Sequence, residues 1–319
     1  MNKQIKIGLI GVGNMGKNHL RVLSILKDVE IAFVFDPDEQ KRNQLREQYD
    51  VNFVDSFENL LSEIDGVIIS APTVFHYNYI ELLAGKVKNI FIEKPMTATI
   101  EEAIKVQALQ DKYGFNIMVG FIERFNPAVM ELKKLISTDQ VINIDITRTN
   151  KLSSRITDVD VVSDLMIHDI DLALYLNGEI KSIYAQGYVD GKMIGFANTT
   201  LVHQNGAISR LQASRVTDKK DRSIKVTCKD MYIDCDLLRK EIIINKQAQT
   251  FENSDKSYTI QSIQENVSVK LEEALLLEHQ AFVRLCRNQA DDSMPGFNAG
   301  LNSVKVCSEI QNQILGHAK

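Results

Sequence analysis

Asp164 and His168 stand four residues apart in Val161–Leu176, a segment whose apolar pattern predicts one helix, so both side chains fall on one helix face. A carboxylate beside an imidazole raises the ring's basicity and fixes its orientation, and such a pair can take a proton from a hydroxyl. Taken alone, the spacing also suits a structural pair. Lys94 sits in Glu93-Lys94-Pro95, at the carboxyl end of a predicted strand. An amine in a partly desolvated cleft loses proton affinity and can act near neutral pH, whereas a lysine before proline can also be a solvated loop residue. Lys94-Pro95 is a candidate cis peptide. With an unperturbed pKa of about 6.5 against about 10.4 for lysine, His168 needs less tuning as the base, with Lys94 polarising the same oxygen; the exchange of roles fits the spacing equally well. Asp169 and Asp171 follow His168 but point away from its face on a helix, so no metal is expected.

Gly11-Val12-Gly13-Asn14-Met15-Gly16 lies between the apolar run Ile5–Ile10 and a helical pattern, which is the strand-to-helix setting that gives a GxGxxG match meaning. The first glycine permits the turn, the second lets backbone approach a pyrophosphate and the third lets helix meet strand, with helix N–H groups facing the anion. Gly11, Gly13, Asn14 and Met15 are therefore expected at a dinucleotide. Asp36 ends the second predicted strand, 20 residues after Gly16, where its carboxylate can accept from both adenine-ribose hydroxyls. A 2′-phosphate would meet a like charge there, so NAD is expected before NADP. Ala71, Pro72 and Thr73 end another strand at its carboxyl edge and should cover the middle of the cofactor; Glu93 and Lys94 are also expected at the cofactor. His76 opens the next helix as a capping or packing residue or as a cofactor contact. His19, inside the first helix, reads as structural.

These residues need an α/β frame. Predicted strands at Ile5–Ile10, Glu30–Phe35, Gly66–Ala71, Asn89–Glu93 and Asn116–Phe121 alternate with helices at Met15–Leu26, Glu39–Tyr49, Phe57–Ile64, His76–Leu83 and Ile100–Tyr113, the last capped by Thr99. This alternation predicts a doubly wound parallel sheet over residues 1–121. From 122 to 319 the pattern changes to α+β. A helix near Pro127–Ile136 precedes strands at Val141–Thr149, Ser182–Val189, Ile194–His203, Ala207–Arg215, Ser223–Cys228, Met231–Asp236 and Glu241–Ile244, with closing helices at Leu271–Asn288 and Ala299–Leu315.

The 319 residues are enough for two cores, and 44% hydrophobic with 25% charged residues is ordinary globular composition. A net charge of −5 with mixed signs argues against nucleic acid as the main partner. No apolar run of signal-peptide or membrane-spanning length is seen, so a cytoplasmic protein with no membrane partner is expected. Cys228, Cys235, Cys286 and Cys307 form no CxxC pair and read as inert.

Taken in order, Gly11–Gly16, Asp36, Glu93-Lys94-Pro95 and Asp164-x3-His168-Asp169-Ile170-Asp171 resemble the Gfo/Idh/MocA oxidoreductase family over essentially the whole chain. The resemblance implies a Rossmann domain holding a nicotinamide cofactor and a second domain whose large, mostly antiparallel open sheet mediates a homodimer or homotetramer. It also implies that Lys94, Asp164 and His168 meet around the reacting carbinol. Val119–Pro127, Arg155–Val159, Ala213-Ser214-Arg215 and Lys219–Arg222 are similar to the branch acting on UDP-N-acetylglucosamine. That likeness implies oxidation of a UDP-sugar 3-hydroxyl to a ketone, with Arg124, Asn126 and Arg155 as candidate substrate contacts beside Lys94, Asp164 and His168. Lys219, Lys220 and Arg222 read more simply as a solvated turn. An inositol or other polyol dehydrogenase is the alternative within the family, and a catalytically silent NAD-binding sensor the alternative outside enzymes.

Overall fold

The computed structural model describes residues 3–151, 159–191, 193–252 and 258–317. They fall into two units, Met1–Ile122 with Ala274–Lys305, and Glu123–Glu273 with Val306–Lys319.

The first unit is built on six short strands: β1 (Ile5–Ile10), β2 (Val29–Phe35), β3 (Phe53–Val54), β4 (Gly66–Ile69), β5 (Asn89–Glu93) and β6 (Asn116–Gly120). They pair in parallel in the order β3-β2-β1-β4-β5-β6, the doubly wound arrangement expected. β4 and β5 are buried at every residue, as a sheet covered on both faces requires. Crossovers run through α1 (Asn14–Ile25), α2 (Glu39–Arg46), α3 (His76–Leu83) and α4 (Ile100–Tyr113). In α4 Thr99 Oγ1 accepts from the Glu102 nitrogen, and Gly114 at φ 67° ends the helix. The helix expected at Phe57–Ile64 is a 3₁₀ segment, Glu58–Glu63, a form common in connectors this short.

The helix α7 (Ala274–Cys286) also belongs to this unit, although the sequence reading puts everything after residue 121 in the second domain. It lies against β5 and α1, with Phe282 edge-on to Phe91 at 5.7 Å between ring centroids. Gly66 makes room for it, since a Cβ there would come within 2.9 Å of both Phe282 and Cys286. Helical periodicity reveals such a segment but not the core that receives it.

The second unit carries an eight-stranded sheet ordered β14-β13-β12-β11-β7-β10-β9-β8. Its strands are β7 (Val141–Lys151), β8 (Ile180–Asp190), β9 (Met193–His203), β10 (Ile208–Ser214), β11 (Val216–Cys228), β12 (Met231–Asp236), β13 (Glu241–Glu252) and β14 (Tyr258–Val267). Among the described residues the β7–β10 pairing is parallel and the other pairings of this sheet are antiparallel. β14 is polar and weakly patterned in sequence, which is why the sequence pattern assigns no strand there. Two helices lie on this sheet, α5 (Pro127–Leu135) against β12 and β13, and α6 (Ile167–Asn177) against β7 and β10. Along β8, Gly187 backs onto Ile314 of α8 (Phe297–His317), while Tyr184 and Tyr188, which alternation puts on the opposite face, are exposed.

No described helix is long and apolar enough to cross a membrane. The four cysteines are free, and burial pushes the thiols of Cys235 and Cys286 up to about 12.

Candidate functional site

In the first unit the chain turns sharply as it leaves β1. Gly11 adopts φ 90°, a left-handed value, and a Cβ there would lie 2.6 Å from the Ser70 carbonyl oxygen, so only glycine fits. A Cβ on Gly16 would lie 2.0 Å from the Gly11 carbonyl oxygen, which is how closely α1 approaches the turn. Gly13 is different: a Cβ there would meet nothing within 4 Å, leaving backbone open to a ligand. Gly13 is also the N-cap of α1 and supplies no side-chain acceptor to the first-turn N–H groups, which suits an anion at that helix end.

Gly11, Gly13, Asn14, Asp36, Ala71 and Pro72 line one cleft of about 360 Å³. Met15 and Thr73, expected with them, are not among its lining residues. Asp36 is buried; its Oδ2 accepts from the Val12 nitrogen (2.8 Å) and its Oδ1 from the Asp38 nitrogen (2.9 Å). A carboxylate offers about four lone-pair sites, so each oxygen keeps capacity for a ribose hydroxyl. These residues therefore fit a dinucleotide. Phe75, Tyr79 and Lys41 line the same cleft and were missed by sequence reasoning. Phe75 and Tyr79 are four apart across the start of α3, a spacing that could have marked them. Lys41 is a cation near Asp36, but it pairs with Asp38 at 3.5 Å.

His76 does not line the cleft. Its ring is 1% exposed, with Nδ1 2.8 Å from the Pro95 carbonyl oxygen and Nε2 2.9 Å from that of Ala71. Of the roles left open for it, the structure supports packing: it ties the loop after β4 to the turn after β5. Burial pushes its pKa down, against the pull of both carbonyls and of Glu93. Glu93 points into the unit, accepting from His19 Nε2 (2.9 Å) and from the Lys94 nitrogen (3.2 Å). His19 Nδ1 in turn faces His279 Nε2 at 3.0 Å. Glu93 is thus held by a histidine chain beneath the turn that carries Lys94. The Lys94-Pro95 peptide is cis.

In the second unit the segment with Asp164 and His168 is not one regular helix. Val162–Met166 forms a π-helical turn that leads into α6, and wide turns of this kind recur at functional sites. Asp160 caps it, accepting from the nitrogens of Val162 (2.8 Å) and Ser163 (2.9 Å), while Gln311 Nε2 donates to Asp160 Oδ2 (2.6 Å). Asp164 and His168 are both partly exposed. Asp164 Oδ2 accepts from Arg215 Nη2 at 2.5 Å, a partner that no local spacing announces.

Two of the expected substrate contacts are committed elsewhere. Arg124 is 8% exposed; its Nε and Nη2 donate to the two Asp171 oxygens, each at 2.7 Å, and its guanidinium lies 4.5 Å from the Tyr175 ring centroid. Asn126 Oδ1 caps α5 through the Ala128 nitrogen, and its Nδ2 donates to Glu123 and to the Leu237 carbonyl. Both are structural as placed, because their donors were competed for by groups that only the fold brings near. Arg155 lies outside the described residues. Asp169 is bound by Arg148, which also donates to Glu123 (2.7 Å). Burial pushes the Glu123 carboxyl up, but Arg148 and Arg222 outweigh it and hold Glu123 below the usual carboxylate range. Arg222 is therefore not in a solvated turn; it lies within β11, half-buried, facing Glu123 at 3.5 Å. Lys219 stays exposed.

Comparison with known proteins agrees with this layout. Residues 5–121 match the oxidoreductase family with an NAD-binding Rossmann fold, and residues 145–234 match the GFO/IDH/MocA C-terminal domain. The chain is 28% identical to UDP-N-acetylglucosamine 3-dehydrogenase of Acidithiobacillus ferrooxidans over 244 residues, 75% of this chain and 76% of that protein. It is 29% identical to inositol 2-dehydrogenase of Rhizobium meliloti over 184 residues, 55% of this chain and 56% of that protein. A solved structure of the Acidithiobacillus enzyme superposes with a TM-score of 0.88 over 99% of both chains at 24% identity, which shows the shared fold.

Proposed function

The chain belongs to the Gfo/Idh/MocA oxidoreductase family, and from that premise we propose that it oxidises a sugar hydroxyl to a ketone with NAD, the 3-hydroxyl of a UDP-N-acetyl-hexosamine being the favoured position. The observation that carries the reading is the cleft in which the open backbone at Gly13 and the spare acceptor sites of Asp36 lie together. NAD rather than NADP follows from the carboxylate, which would repel a 2′-phosphate. The choice of sugar rests on the likeness to the Acidithiobacillus enzyme across three-quarters of the chain. The inositol relative supports a second reading, an uncharged polyol as substrate.

Bound NAD supplies a hydride acceptor. In the proposed reaction His168 takes the hydroxyl proton, Asp164 steadies the charge that results, and Lys94 polarises the same oxygen. The exposed tyrosines of the eight-stranded sheet support assembly into a homodimer or homotetramer through that face.

The test is NADH absorbance with UDP-N-acetylglucosamine, inositol and glucose, paired with thermal shift of the NAD-loaded protein, since a ligand of the folded state raises Tm. Turnover with UDP-N-acetylglucosamine and stabilisation by UDP are expected. Turnover with inositol alone moves the substrate to the polyol branch, and no turnover with any of them favours an NAD-binding sensor. His168→Ala should lower turnover by ~10²-fold or more; near-native turnover transfers the base role to Lys94.

A further inference from the structure

We propose that Arg215 is a positioning residue for the reaction, a buried guanidinium that holds the Asp164 carboxylate in its working orientation; this rests on the reading of Asp164 given above. Arg215 stands at the bend between β10 and β11, where its backbone nitrogen donates to the Gly195 carbonyl (2.9 Å). The bend is braced by the Ser214 hydroxyl, which pairs with Thr217 Oγ1 (2.7 Å) and accepts from the Val216 nitrogen (3.2 Å). The Arg215 side chain is only 5% exposed, against 31% for Asp164. One prong, Nη2, reaches Asp164 Oδ2, and the other, Nη1, donates to the Val159 carbonyl just ahead of the π turn.

One planar cation thus holds a carboxylate of the π turn and the backbone that leads into it. Asp160 fixes the same turn through its backbone nitrogens, so backbone and functional carboxylate are held by separate devices. The asymmetry in exposure matters. A carboxylate on a wide helical turn can rotate about its own side-chain bonds, and a rigid fork anchored in a sheet removes that freedom while the carboxylate stays partly open to solvent. The guanidinium orients the carboxylate whose proposed role is to steady charge on His168.

The test measures kcat and KM for Arg215→Met, Arg215→Gln, Asp164→Asn and the double variant Asp164→Asn/Arg215→Met. Misplacement by about 1 Å costs on the order of 10²-fold, and a loss of that size in kcat, with KM changed less than about threefold, is expected for Arg215→Met. In the Asp164→Asn background the same change should cost less than about threefold, because residues acting as a unit are not additive. A purely structural arginine would lower Tm in both backgrounds alike and leave the kcat of the folded protein unmoved. Folded Arg215→Met with kcat within about threefold of wild type, or a full multiplicative loss in the double variant, overturns the assignment. Should Arg215→Met fail to fold, Arg215→Gln, which keeps a donor for Val159 without the charge, decides on the same two criteria. Wild type that turns over none of the sugars, or Asp164→Asn with native kcat, defeats the functional reading instead and removes this inference with it.

Discussion

Asp36 accepts hydrogen bonds from two backbone nitrogens and keeps further acceptor sites on both oxygens, so it organises the turn after β1 and carries the proposed selection of NAD. Hydrogen bonds to a charged group contribute about 1.5–3 kcal/mol each. Asp36→Ala is accordingly expected to weaken NAD by ~10-fold or more, tenfold corresponding to about 1.4 kcal/mol, and to narrow the preference over NADP. Calorimetric titration with both dinucleotides checks this, and unchanged affinities for both would refute the assignment. Arg124 teaches the opposite lesson at the same scale. Its residue type and neighbourhood in sequence suggest an anion contact, but the guanidinium is only 8% exposed and spends its Nε and Nη2 on the two Asp171 oxygens.

At the scale of elements, the parallel strands and their helices were legible because each carries a period or a cap: β1, β5, α3 and α4 fall where the pattern puts them. The π turn at Val162–Met166 was not, since inserting a wider turn leaves the apolar pattern nearly intact while changing which groups face one another. Packing of α7 onto the parallel sheet has a consequence for pH. It buries Glu278 to 1% exposure with no hydrogen-bond partner among the described residues, in the same unit as Glu93, His19 and His279. Burial, then the charge of Glu93, pushes the Glu278 carboxyl well above the usual range. The folded state therefore binds this proton more tightly than the unfolded chain. Its contribution is fully present below the unfolded value of about 4.3 and is lost as pH rises through the folded value. Glu278→Gln removes the ionisation, so the Tm of the variant minus that of wild type should increase from pH 4 to pH 8. A difference that stays flat across that range would show that Glu278 does not titrate on unfolding.

For the whole molecule, the exposed aromatic side chains on the eight-stranded sheet support the proposed assembly. Tyr184 and Tyr188 are 64% and 56% exposed, and they line a cleft with Phe196, Asn198 and Thr200. Large aromatic groups left in water favour association, and the proposed partner is a second copy of this chain. Tyr184→Glu/Tyr188→Glu places two charges on that face and should reduce the solution mass to that of the monomer, read by light scattering after gel filtration. An unchanged oligomer would move the interface elsewhere.

Local patterns in the chain announce the parallel sheet and the chemistry on offer: six glycine-turn residues in context, Asp36 at its distance, and Lys94, Asp164 and His168 as the proposed reacting groups. Periodicity and turn chemistry are local, and so they survive in one dimension. Packing in three dimensions settles which of the polar groups are already spent. Arg124 and Asn126 are consumed by Asp171, Glu123 and Leu237, while Arg215, more than fifty residues from Asp164 in the chain, is delivered to it by a sheet corner. Competition among donors and acceptors for partners is settled by distance in space, and spacing along a chain carries no record of it.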